Sequence, residues 1–159
     1  MSPVEPLVRL LDVLQPSLAM YLADSGIWTY PGDEEVKLAL ADLVGDHRSL
    51  VERAAVMLEQ RSVPVPSPAY PITFTSCHDV DIGSLVPRVI EGLRGQVAVC
   101  DGLAAACDDA AIVGLVREAR STSLRHVDVL EQVAAAARLR RSAVRAGQAT
   151  AAVPPASAS

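Results

Sequence analysis

The chain has 159 residues and a mass of 16.7 kDa, enough for one domain with an apolar core of its own and no need of disulfide staples. Half of the residues are hydrophobic but only 3% are aromatic, so the core is aliphatic; a formal net charge of -5 gives no electrostatic reason to approach phosphate backbones, which argues against a nucleic-acid partner. No stretch reaches the roughly 18 uninterrupted apolar residues of a membrane span, and the opening "MSPVEPLVRLLDVLQ" carries no basic leader or small-residue cleavage site, so the expectation is a cytoplasmic protein without a membrane partner. Cys77, Cys100 and Cys107 are an odd count, which favours free thiols.

Four helical segments follow from apolar spacing. The first covers about Val4 to Trp28, with Leu7, Leu11, Leu14, Leu18, Tyr21, Ser25 and Trp28 on one stripe and a kink or break at Pro16. "YPGD" makes a turn that leaves Asp33 to cap the second helix, about Glu34 to Arg61, with the stripe Val36, Leu40, Leu43, His47, Leu50, Ala54 and Met57. The third helix starts near Ser84, with Pro87 in its first turn. Its stripe is Val86, Ile90, Leu93, Val97, Cys100, Ala104 and Cys107. Asp109 caps the fourth, whose stripe is Ile112, Leu115, Ala119, Ser123, His126, Leu130, Val133 and Ala137, and whose end is the arginine cluster "RLRRSAVR". Residues 1–146 make the helical domain, and residues 147–159, low in complexity, are expected to be disordered.

The loops are unequal. Helices one and two are separated by a few residues, as are three and four, so each pair is an antiparallel hairpin. Between the pairs lie about twenty residues carrying Pro64, Pro66, Pro68 and Pro71, enough at roughly 3.3 Å per residue to run the length of a helix. This predicts an all-α, up-down four-helix bundle with one long crossover between helices two and three. The crossover holds "SCHD", but adjacent side chains of an extended segment point to opposite faces, so Cys77 and His78 make a poor catalytic pair. Phe74 is expected to tuck this strap onto the helices, with Asp79 or Asp81 starting helix three.

The stretch "YPITFTSCHDVDIGSLVPRVIEGLRGQV", followed by "REARSTSLRHVDVLEQV", resembles a group of bacterial ferritin-like domain proteins over most of residues 1–143. The resemblance implies a bundle in which two helices each give a Glu, and two a Glu-x-x-His pair, to a dinuclear metal site. His47 and His126 stand where the two histidines would, but Val44 and Ser123 occupy the positions of the preceding glutamates. Helical phase places Asp46, Glu118, Asp128 and Glu131 about 100 degrees or more from the inward direction, with Glu91 outward and Asp24 no better placed. Tyr21, His47, Gln96 and His126 reach one level near mid-bundle, with Ser25 and Ser123 beside them: a buried polar layer of hydrogen-bonded groups, Tyr21, Gln96 and Ser123 among them, around the two histidines.

The reading is a ferritin-like protein without an intact diiron carboxylate site, serving in binding or scaffolding and carrying no cofactor. The alternative is a ferritin-like or DinB-like metalloenzyme holding a single transition metal ion (Fe, Zn or Mn) on His47 and His126; the DinB-like pattern wants a third histidine where Leu130 stands. Leu38 and Val56, with Val13, Met20 and Ile27, lie away from the expected core, which suggests a homodimer through helices one and two.

Overall fold

Proline decides the first helix. Helix α1 spans Glu5–Leu14 and α2 spans Leu18–Ser25; Pro16, lying between them, has no amide to donate and its ring collides with the preceding turn, so one amphipathic segment becomes two helices. Ser17 restarts the chain as the cap of α2, its hydroxyl accepting from the Met20 amide at 3.4 Å. The structure, a computed structural model, describes residues 2–152, and among these residues it is all-helical, with no strand.

After α2, Gly26 takes a left-handed φ of 91° and a 3-10 turn follows over Ile27–Thr29. That turn rotates the apolar phase. Ile27, expected on the outside, is buried at 5% exposure, and Trp28, expected inside, is 57% exposed. Helix α3 spans Glu34–Glu59, α4 spans Ile82–Ala106 and α5 spans Ala110–Ala151.

Side-chain caps start α4 and α5, whereas Asp33, expected to cap the helix that is α3, makes no side-chain cap bond at its head and pairs instead with Arg140. Asp109 accepts from the amides of Ala111 and Ile112 at the head of α5, and Asp81 from Gly83 at the head of α4. Because α4 begins at Ile82 and not near Ser84, Pro87 sits two residues deeper than expected and removes the helical donor of the Gly83 carbonyl. The arginine cluster does not end α5. The helix continues through Ala151, past the expected boundary at 146, and Arg140 reaches Asp33 and Glu35 while Arg141 reaches Asp81. These arginines therefore brace the N-termini of α3 and α4. Residues 147–151, expected to be disordered, are helical; 153–159 lie outside the described residues.

Two apolar clusters divide the core. One gathers α1, the second half of α3, the end of α4 and the start of α5, around Leu11, Leu58, Leu103 and Ile112. The other gathers α2, the first half of α3, the start of α4 and the later turns of α5, around Leu22, Leu40, Leu93 and Leu130. The chain's course can be read from its passage between them: α1 and α2 run one way, α3 returns, α4 runs parallel to α3, and α5 returns again.

The connection from α3 to α4 travels the same distance outside the helices. Val63 and Val65 pack on the first cluster, and Phe74, Cys77 and Val80 on the second. The strap is not extended throughout: Ile72–Cys77 is a 3-10 segment, and Ser62 and Asp79 take left-handed φ values of 58° and 61°. Tyr70 donates to Asp24, and the Tyr21 ring stands beside those of Tyr70, Phe74 and His78.

Two glycines test this packing. Gly32 has φ 127°, and a Cβ there would lie 2.7 Å from Ile82, where the Ile82 amide also donates to the Pro31 carbonyl. Gly32→Ala should destabilise the protein by more than about 1 kcal/mol. Gly45, inside α3 with open space beside it, should gain roughly 0.5–1 kcal/mol on substitution by Ala. Urea unfolding of both variants measures the contrast; similar effects of the same sign would contradict the close approach at Gly32.

Candidate functional site

The boundary between the two clusters is polar. His47 from α3, Gln96 from α4, and Ser123 and His126 from α5 are all buried there, His47 at 1% exposure. Periodicity placed all four correctly inside. It did not foresee how they pair.

Gln96 has a partner at each end of its amide. Its Nε2 donates to the Val13 carbonyl in the last turn of α1 at 3.2 Å, and its Oε1 accepts from the Ser123 hydroxyl at 3.3 Å. The helix break thus creates a carbonyl in need of a donor, and α4 supplies one. Tyr21 is not part of this layer. It is half-buried, and its hydroxyl pairs with His78 Nε2 in the strap at 2.9 Å, while Ser25 pairs with the Tyr30 hydroxyl.

His126 is held by a carboxylate that helical phase had placed outside. Asp46 Oδ2 lies 2.6 Å from His126 Nε2 and 2.8 Å from Arg125 Nη2. Burial works against the Asp46 carboxylate, but the hydrogen bonds from His126 and Arg125 outweigh it and hold its pKa below the usual range. An ionised carboxylate only accepts, so His126 Nε2 is the donor of this bond. Nδ1 is buried and has no partner within the protein. Asp46 was missed because about 100 degrees off centre is the flank of a helix, which here faces the seam with α5.

His47 is more exposed to its chemistry than to solvent. Neither of its ring nitrogens has a hydrogen-bond partner within the protein. Burial pushes its pKa down to about 4, the nearby His126 pushes the same way, and Asp46 offsets part of this, so the ring is neutral at pH 7. It lies on the floor of a cleft of about 530 Å³ between the α1–α2 break and α4. Leu18, Val89, Leu93 and Phe74 make apolar walls, and Asp12, Arg88 and Glu91 are the charged lining groups. Sequence reasoning missed this cleft. Its signal was Pro16, which thins the wall over His47.

The remaining acids do not gather around the histidines. Glu118 pairs with Arg53, Glu131 with Arg94 and Asp24 with Arg48, all at the surface. Among the described residues, no group of three or more His, Cys, Asp or Glu side chains is placed to hold a metal ion. A dinuclear carboxylate centre therefore does not fit these residues. Nor do Cys77 and His78 form a pair: Cys77 is fully buried and accepts from Arg88 Nη1 at 3.1 Å, while His78 faces Tyr21. Burial raises the Cys100 thiol to about 11, so it stays protonated within the core. Among the described residues, no helix is long and apolar enough to cross a membrane. Comparison of the chain with family models, with curated proteins and with solved structures finds no match.

The neutral, buried His47 makes stability depend on pH. Its folded pKa lies below the unfolded value of 6.5, so the unfolded chain takes up the proton first. The stability is fully present above pH 6.5 and falls as pH drops towards 4. Between pH 7.5 and 4.5 the loss from this one group is roughly 2–3 kcal/mol. Urea unfolding at the two pH values should show a smaller loss, by that amount, in His47→Leu; an unchanged pH dependence would mean that His47 does not titrate in this way.

Proposed function

We propose that this is a ferritin-like four-helix bundle whose dinuclear site has been lost, and that it works as a small-molecule binding protein through the cleft at His47. The ferritin-like reading is supported by the directions of the helices, with α1 and α2 together counting as the first, and by the strap that carries the chain from α3 to α4. The binding reading rests on one observation: a fully buried imidazole with no partner of its own faces an apolar cleft of ligand size.

A polar group left unpaired costs about 1–3 kcal/mol. A ligand that hydrogen-bonds His47 recovers that cost on binding and covers the apolar walls as well. Gly92 and Gly95 line the cleft from α4, and a Cβ at either would meet nothing within 4 Å. They keep the wall of the cleft low.

A second reading is favoured by His126. A carboxylate on one ring nitrogen, with the other buried and unpartnered, is how proteins orient a metal-ligating histidine. In that reading His47 and His126 would bind a single transition metal ion, completed by outside ligands.

The neutral dye N-phenyl-1-naphthylamine, which fluoresces in apolar surroundings, tests the first reading. It should bind one per chain, and Gly95→Leu, whose Cβ would have open space at the cleft wall, should weaken it at least tenfold while leaving the thermal transition intact. No saturable binding, or binding indifferent to Gly95→Leu, would remove the cleft as the site. Elemental analysis of protein purified without chelators should find no stoichiometric iron, zinc or manganese; one ion per chain, lost in both His47→Leu and His126→Leu, would instead establish the second reading.

A further inference from the structure

The floor of the cleft restricts the chemistry of what it can hold. Of the two uncharged polar groups bordering it from α3 and α4, Gln96 has a partner at each end, its amide nitrogen on Val13 and its amide oxygen on Ser123. His47 alone is unsatisfied, on both ring nitrogens. A neutral imidazole has one N–H donor and one bare nitrogen acceptor. The matching partner is a group that can either donate or accept, and a hydroxyl does both.

The charges around the cleft argue against an anion. Asp12 and Glu91 border it, and the cation, Arg88, turns Nη1 to the buried Cys77 sulfur. A carboxylate placed against His47 would be taken out of water in a cleft bordered by two carboxylates, Asp12 and Glu91, against one guanidinium, Arg88, unless the ring took up a proton, which burial opposes. A protonated amine would find its counter-charges only at the border, in Asp12 and Glu91, because the neutral His47 ring offers it a lone pair and no charge. The rest of the wall, Leu18, Phe74, Val89, Leu93 and Val99, is apolar and asks for a hydrocarbon body.

From these constraints, and resting on the reading of the cleft as a ligand site, we infer that its ligand is an uncharged amphiphile, a compact apolar body carrying one hydroxyl that hydrogen-bonds His47. The hydroxyl goes in first and the apolar body lies along the groove between the α1–α2 break and α4. Phe74 places an aromatic face at this ligand's side and links the strap to the occupied cleft.

Three probes of one shape separate the terms: naphthalene, 2-naphthol and 2-naphthoate, titrated into the full chain at pH 7.5 and followed by calorimetry or probe fluorescence. The expected order is 2-naphthol tightest, by about tenfold over naphthalene, with 2-naphthoate weakest. In His47→Leu the advantage of 2-naphthol over naphthalene should vanish while naphthalene still binds, and His47→Gln, which keeps a donor and an acceptor, should restore part of it. Tightest binding by 2-naphthoate, equal binding of naphthalene and 2-naphthol, or an advantage that survives in His47→Leu would each overturn the hydroxyl assignment and leave the cleft as a ligand site. Failure of all three probes to bind the folded wild-type chain would overturn the binding reading itself.

Discussion

The amide that Pro16 lacks governs the middle of this protein. A continuous first helix would seal the face of α3 and α4 along its whole length. The break instead separates Leu14 from Leu18, frees the Val13 carbonyl for Gln96, and leaves a cleft that His47 borders. The break thereby sets a hydrogen bond across to α4 and opens the cleft that His47 borders. The same break sits at the level where the two apolar clusters meet.

That level is an expensive place to put histidines. The clusters on either side are close to ideal aliphatic packing, with Leu11, Leu40, Leu58 and Leu93 fully or almost fully removed from solvent. Replacing His47 with a leucine would join them into one core and remove two unpaired polar atoms. A buried group that lowers stability, and loses more as the pH falls, is better understood as part of a site than as part of the scaffold. The surrounding groups support this division of roles. Gln96, Ser123 and Asp46 are tied into pairs that fix the neighbouring helices, and His47 is left over. The strap adds a second wall, fastened by Tyr70 to Asp24 and by His78 to Tyr21.

Much of the helical frame was legible in the amino-acid pattern. The stripes of α3 and α5, the caps at Asp81 and Asp109, the break at Pro16 and the depth of His47, Gln96, Ser123 and His126 all follow from local rules. The errors share a cause. Trp28 and Ile27 exchanged places because Gly26 ended α2 and a 3-10 turn reset the angular phase, and Tyr21 turned to the strap because its hydroxyl found His78 there. The extension of α5 to Ala151 shows the limit of reading a helix end from composition: Arg140 and Arg141 found acidic partners on other helices, so they did not need the carbonyls of their own.

The sequence by itself determined most of the helical frame and the inward faces of α3 and α5, because both depend on spacing along the chain and on whether each residue can give or receive the backbone bonds of its own helix. Only the tertiary structure decided who meets whom across the helices: Asp46 with His126, Gln96 with Val13, and nothing with His47. Those outcomes depend on how the helices are rotated and set against one another, and a shift of one residue's arc moves a side chain from solvent to a seam. Asp46 is the clearest case. Its distance from the centre of the apolar stripe was read correctly from the pattern, but the presence of α5 beside that flank was not written in it.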